Sequence, residues 1–410
     1  MEYIVSKRFY DEVDKSVKAF LKEEDGRKIT VIHHNDADGI CSAVLHKVML
    51  EELSVDHEFI CVEKVYPEII EKIHSERNGI FIYTDLGGLA SGIIAEKTTD
   101  DCHSFIIDHH PARDVKGENV TILDPELAGV SGDMFISAST LNYIFAQRVT
   151  EKIKDYAYVA LLGAVGDYHD RYGGVLGFDR YVLDECVSLE QVEIRIEGAK
   201  ERYYVKKFGE YADIFSKRLT TLGSVGYLKK GYLDGVRACF DGFDERMMRK
   251  VDKLEEVKHR KFREEIERLG SEGLNETEKV QWFSVENRFS PMGVKTIGEF
   301  CQQIKDMSFV NPLKYLIGFQ DIPDVIPDLG KLTWDGVKVS ARAPSTVERM
   351  ILNGKIPGYD YLIPKASEIV GGYADATHKV AAATVIDKGK EEEFVNAMEE
   401  VLKNEDFKAC

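Results

Sequence analysis

Between Val31 and Gly39 the chain reads V-I-H-H-N-D-A-D-G, so an apolar strand runs directly into His34, Asp36 and Asp38. One imidazole and two carboxylates within five residues can bind a divalent cation, and packing gives no reason to crowd them there. An Asx turn capping the following helix, with Asp36 or Asp38 as the cap, explains the same residues about as well. Three later segments tip the balance. Ile80 to Thr84 leads to Asp85, followed by Leu86-Gly87-Gly88. Ser104 to Ile107 leads to Asp108-His109-His110-Pro111, and the helical-looking Tyr156 to Val165 leads through Gly166 to Asp167. Four such sites, all at element ends and all built from Asp and His, read as one composite site.

Ligand count sets the chemistry. Asp36, Asp38, Asp85, Asp108 and Asp167 supply five carboxylates, and His34, His109 and His110 supply imidazoles. Carboxylates at close range raise one another's pKa unless cations neutralise them. Two divalent ions about 3.5–4 Å apart, bridged by one carboxylate, satisfy such a set and suit phosphoester hydrolysis. Mixed carboxylate and imidazole ligation favours Mn2+, with Mg2+ or Co2+ as alternatives.

The elements that must position these groups follow from the pattern. From Lys28 to about Cys186, strands and helices alternate, which predicts a mostly parallel sheet with helices on both faces. In such sheets ligands bind at the carboxyl ends of the strands. An amphipathic helix from Arg8 to Glu23 precedes the sheet.

These segments resemble those of the DHH phosphoesterases: H-x-D-x-D-G at His34 to Gly39, an Asp after the next strand at Asp85, the D-H-H signature at Asp108-His109-His110, and a fourth Asp at Asp167. The resemblance covers about the first 200 residues. It implies that His34, Asp36 and Asp85 hold one metal, and that Asp38, Asp85, His109 and Asp167 hold the other, with Asp85 as the bridge. It further implies that His110 faces the scissile phosphate and that Asp108 orients the histidine pair.

Composition bounds the reading. The chain has 410 residues, is 44% hydrophobic and carries a formal net charge of -18, from 54 Lys and Arg against 72 Asp and Glu. That balance excludes a global basic field for capturing duplex DNA, while a local basic groove for a single strand remains compatible with it. No run of about 18 apolar residues predicts a membrane span, and Met1 to Arg8 lacks a signal-peptide core. Seven scattered cysteines, including Cys41 beside the site and Cys410, predict reduced thiols in a cytoplasm.

We divide the chain into a metal-binding domain at 1–188, a helical connecting region at 189–277 and a smaller α/β domain at 278–410. Within the middle part, Lys200 to Leu222 and Phe243 to Leu269 read as charge-rich helices. On the second of these, Met247, Val251, Leu254, Val257, Phe262, Ile266 and Leu269 form one stripe, which fits packing against the chain's own domains better than a partner or a homo-oligomer.

In the last third, strands are predicted at Val280–Val285, Tyr315–Phe319, Gly336–Arg342 and His378–Ile386. Arg342 at a strand end, with serines around it, suits a phosphate, because its fork donates two parallel hydrogen bonds; a surface ion pair is an equally good reading of the residue alone. The region is similar, more loosely, to the DHH-associated domain of RecJ-like proteins. Ser340-Ala341-Arg342 and His378 with Ala381-Ala382 match its motifs, but the glycines around His378 are replaced. The resemblance implies substrate-binding roles for Arg342 and His378.

The sequence reading is therefore an archaeal-style RecJ-like exonuclease acting on single-stranded DNA or RNA, compatible with a replication or repair partner. Its rivals are a phosphodiesterase or phosphatase for short oligoribonucleotides, cyclic dinucleotides or nucleotide bisphosphates, an inorganic pyrophosphatase, and a non-catalytic replication scaffold. Ile32, where pyrophosphatases carry a further ligand, counts against the pyrophosphatase.

Overall fold

The computed structural model describes residues 7–404 except 113, 114 and 116, so Met1 to Ser6 and Cys410 lie outside the described residues. The chain forms two compact units, residues 1–252 with 327–329, and residues 253–326 with 330–410.

The first unit is built on five parallel strands: β1 (Ile29–His34), β2 (His57–Val62), β3 (Ile80–Thr84), β4 (His103–Ile107) and β5 (Val120–Leu123), in the order β2-β1-β3-β4-β5. Every residue of β1, β3 and β4 is buried, as expected of parallel strands covered on both faces. The covering helices are α1 (Lys7–Glu23), α2 (Ala37–Glu52), α3 (Pro67–Glu76), α4 (Ser91–Lys97), α5 (Ala138–Gln147), α6 (Ala157–Gly166) and α7 (Gly177–Ser188). Helix α1 buries Phe9, Val13, Val17 and Phe20, and the Phe20 ring meets Phe105 and Phe145 edge-on. Helix α2 packs against β1, α5 and α6 and is buried along nearly its whole length, so its apolar residues show no single stripe.

The region after α7 corrects part of the sequence reading. Lys200 to Leu222 is not one helix: β6 (Val192–Glu197), β7 (Lys200–Val205) and β8 (Glu210–Tyr211) form a three-stranded antiparallel sheet, and only then does α8 (Ala212–Thr220) begin. Val192, Ile194 and Ile196 alternate with Glu193, Arg195 and Glu197, the two-residue period of a strand. Arg195 and Arg202 lie over the Tyr204 and Tyr211 rings, so the charges that suggested a helix decorate a hairpin face. A π-helical turn (Thr221–Val225) and α9 (Gly231–Asp241) complete this unit.

Helix α10 (Glu245–Glu272) starts where the Asp244 side chain accepts from Met247 N, and it runs from the first unit into the second. Its apolar stripe is turned to the chain's own packing. Met247, Val251, Leu254, Phe262 and Leu269 are buried, and the Phe262 ring contacts Phe289 and Phe300.

The second unit centres on a six-stranded mixed sheet of β9 (Asn275–Glu276), β10 (Val280–Ser284), β11 (Tyr315–Asp321), β14 (Gly336–Arg342), β15 (Tyr373–Thr377) and β16 (Ala381–Asp387), in the order β15-β16-β14-β11-β10-β9. A small hairpin, β12 (Val325–Ile326) with β13 (Gly330–Lys331), interrupts it between β11 and β14. Helices α11 (Thr296–Ile304), α12 (Ser345–Leu352), α13 (Tyr359–Val370) and α14 (Glu391–Asn404) accompany it. The strand predicted from His378 begins instead at Ala381. His378 N donates to Ala381 O, closing a turn before the strand.

No helix among the described residues is long and apolar enough to cross a membrane. The six described cysteines are free thiols and all are buried.

Candidate metal centre

The sheet order places the exits of β1, β3 and β4 side by side, because these strands are adjacent and parallel. His34 ends β1, Asp85 follows β3, and Asp108-His109 follow β4. Burial of all three strands fixes those ends within a rigid core.

At the β1 exit, His34 Nδ1 lies 3.1 Å from Asp36 Oδ2 and 3.3 Å from Asp85 Oδ2. Asp36 does both things its sequence allowed. Its Oδ1 accepts from Gly39 N and caps α2, while Oδ2 faces the imidazole. Gly39 is required by close approach, since a Cβ there would sit 2.5 Å from His34 Cβ and from His34 O.

Asp85 occupies the left-handed region at φ +60°, a conformation that Asp and Asn tolerate better than most residues, and strain of this kind gathers at functional sites. Its two oxygens diverge. Oδ2 faces His34, whereas Oδ1 lies 3.6 Å from His109 Nε2. Burial and the neighbouring carboxylates of Asp36, Asp38, Asp167 and Asp108 push the Asp85 carboxyl well above the usual range.

His109 is oriented from behind. Its Nδ1 bonds the Gly132 carbonyl at 2.9 Å, and Gly132 N in turn donates to Glu126 Oε1. That bond places the second ring nitrogen in the site, where buried Nε2 makes no hydrogen bond and sits 3.7 Å from Asp167 Oδ2. Burial works against a charged His109, but Asp167, Asp38 and Asp108 outweigh it and raise its pKa.

Asp108 is a brace. Its Oδ2 accepts from Gly88 N, and its Oδ1 accepts from His110 Nδ1 at 2.8 Å and from His110 N. Burial alone would raise its carboxyl, yet His110, His109 and the Gly88 N–H hold it far below the ordinary value. The His110 side chain is about half exposed, at 49%.

Asp38 is placed differently. Its two oxygens accept from Ala138 N and Ser139 N at 2.8 and 2.9 Å, pinning the first turn of α5. Burial lifts its carboxyl to about 6, with His109 opposing and Asp167 adding to the rise.

Asp167 caps the end of α6 in a Schellman turn. Tyr168 N donates to Val165 O, His169 N donates to Ala164 O, and Tyr168 takes φ +60° where glycine is usual. The turn brings a residue that the sequence reading passed over, His169, beside the site. Its Nε2 lies 3.1 Å from Asp167 Oδ2. The signal was present as D-x-H at 167–169, the mirror of H-x-D at 34–36.

Two clusters could hold an ion: His34 with Asp36 and Asp85, and His109 with Asp167 and His169. Asp85, Asp108, His109 and His110 form an overlapping third group. The donor set fits divalent transition ions, and the free Nε2 of buried His109 is the particular atom such an ion would satisfy.

The chain is similar to known proteins in sequence and in fold. The model of the DHH family, N-terminal domain, matches residues 28–164. Those residues are similar to the DHH family, and the chain has a RecJ-like fold. It is 25% identical to an uncharacterized protein of Methanocaldococcus jannaschii over 437 aligned positions, covering 96% of this chain and 97% of that one. It is similar in structure to a manganese-bound exonuclease RecJ, with a TM-score of 0.62 at 12% identity, covering 96% of this chain and 95% of that chain. RecJ from Thermus thermophilus in complex with Mn2+ gives 0.61 at 13% identity; 96% of this chain matches, spanning about 55% of that longer one. CDC45 from Entamoeba histolytica gives 0.55 at 10% identity, covering 97% of this chain and 99% of that one. At these identities the structural likeness speaks for the fold.

The two remaining candidates, Arg342 and His378, lie in the second unit. Arg342 ends β14, and its Nη1 donates to Ala341 O at 2.8 Å and to Ser340 Oγ at 3.3 Å. Gly298 on α11 leaves room for the guanidinium, since a Cβ there would come within 2.9 Å of Nη2. Strand register sets Arg342 opposite Ala381, next to the turn that carries exposed His378. Ser345 is engaged elsewhere, with its N and Oγ both donating to Asp306.

Proposed function

We propose that this protein is a metal-dependent phosphodiesterase, an exonuclease that removes nucleotides from single-stranded DNA or RNA. One observation carries the reading: Asp85 aims one oxygen at the His34–Asp36 cluster and the other at His109. A carboxylate in that posture can bridge two cations. Two divalent ions, Mn2+ by preference, would be held by His34, Asp36 and Asp85 on one side and by Asp85, His109 and Asp167 on the other, with Asp38 bordering the second. Such a pair supplies a nucleophilic water at neutral pH and charge stabilisation for a phosphoryl oxygen.

The chain's own residues do the rest. Asp108 holds His110 by its Nδ1, leaving Nε2 of a half-exposed ring to meet the scissile phosphate or the leaving oxygen. Gly132 and Glu126 keep His109 in one orientation. Arg342 and His378 bind the phosphate or the terminal nucleotide of the substrate. Digestion of end-labelled DNA and RNA strands of several lengths, with Mn2+ and with chelator, tests the proposal. Metal-dependent shortening of a strand supports it, and inertness on every strand overturns it.

A second reading, hydrolysis of very short oligonucleotides only, is favoured by the net charge of -18, which repels a long polyanion. Turnover of dinucleotides with long strands untouched would select it. A scaffold of the CDC45 kind is disfavoured by the assembled ligand set, and metal-dependent hydrolysis of any of these substrates rules it out.

A further inference from the structure

His169 has no role in the proposed function above, yet its side chain is buried and held from behind. Its side chain is fully buried, and Nδ1 bonds Asp179 Oδ2 at 2.6 Å. Asp179, itself fully buried in the first turn of α7, has its other oxygen occupied by Ser137 N. The ring is therefore fixed from α7 and from the capped start of α5 together. Its opposite nitrogen, Nε2, approaches Asp167 Oδ2 at 3.1 Å without completing a hydrogen bond, and the ring centroid lies 5.8 Å from that of His109.

A surface imidazole paired with a carboxylate needs none of this. A buried carboxylate that fixes one nitrogen while the other points at an acidic cluster is the arrangement that orients a metal-binding histidine. The backbone is also spent on it. Tyr168 sits at φ +60°, a conformation unfavourable for a residue with a Cβ, and this turn is what puts Asp167 and His169 on the same side.

We propose that His169 is a further nitrogen ligand of the second metal position, beside His109 and Asp167, with Asp179 setting its tautomer. The inference rests on the two-metal reading. It makes the positions unequal. The His34 position offers one imidazole and two carboxylates, whereas the second offers two imidazoles and the Asp167 carboxylate, with Asp85 between them. Nitrogen-rich ligation selects Mn2+, Co2+ or Zn2+ over Mg2+, so the second position discriminates against Mg2+ more strongly than the first.

The test uses the full chain, stripped with chelator and titrated with Mn2+ by calorimetry, with pulsed paramagnetic resonance on the loaded protein. The wild type is expected to take two ions and to show nitrogen couplings from three histidines. Asp179→Asn should weaken the second ion by about 10–100-fold and leave the first unchanged, and His169→Gln should weaken the same ion by at least as much. Two ions at wild-type affinity in His169→Gln overturn the inference and leave the two-metal reading standing. A wild type that binds no pair of ions overturns both. Should His169→Gln fail to fold, the wild-type couplings decide: three histidines support the assignment, and two overturn it.

Discussion

The strand ends of the two units handle charge in opposite ways. At the exits of β1, β3 and β4, carboxylates and imidazoles are buried together, each braced by a partner behind it: Asp36 by Gly39, His109 by Gly132, Asp108 by Gly88. At the end of β14, Arg342 is half-buried, leans on carbonyl groups of its own sheet, and has exposed His378 beside it. The first arrangement costs stability unless cations neutralise it. The second keeps a charged group partly accessible, which suits holding a ligand rather than transforming it.

That contrast can be broken, most sharply at Asp85. Asp85→Asn keeps a residue that tolerates φ +60° while removing the charge, so hydrolysis should fall at least about 10³-fold, the scale of a lost transition-state electrostatic group. The metal-free variant should also melt higher than the metal-free wild type at neutral pH, because the amide spares the cost of holding a buried carboxyl protonated among its like, a cost the unfolded chain does not bear. Retained activity in Asp85→Asn would remove the basis for a bridged centre. Next in size, Gly132→Ala should cut metal affinity severely, since its Cβ would fall 1.8 Å from His109 O and must displace the backbone that aims His109. Equilibrium Mn2+ binding with a circular-dichroism control measures this.

In the second unit, Arg342→Ala should raise KM for strands by about 10–100-fold, matching the roughly 1.5–3 kcal/mol of a hydrogen bond to a charged group. Mn2+ affinity should stay unchanged. Lost metal binding in that variant would erase the division of labour between the units.

The smallest effect concerns histidines that are core rather than site. Burial lowers His46 and His74 to about 4, below the value of about 6.5 in an unfolded chain. The folded state thus favours their neutral forms. Their contribution to stability is present above about pH 6.5 and is lost as pH falls towards 4. Metal-free protein should lose several degrees of Tm across that window, and His46→Gln should flatten the slope. An unchanged slope would mean that His46 is not protonated on unfolding.

The segments of the candidate metal centre were legible in the sequence because each is a local event: an apolar run long enough for a buried strand, then an Asp or His where packing needs none. The hairpin at Val192–Val205 was misread because charged residues at two-residue spacing look helical when counted by composition instead of period. The helices at Ser345–Leu352 and Tyr359–Val370 went unread, the first being short and the second containing Pro364.

What the sequence determined by itself was the inventory: which acids and imidazoles stand at the ends of which elements. Tertiary structure decided how each is used, because orientation depends on partners remote in the chain. Asp38 meets the backbone of Ala138 and Ser139 a hundred residues away. His169, passed over in a D-x-H fragment, owes its position to Asp179 and to a left-handed turn that no pattern of residue types announces.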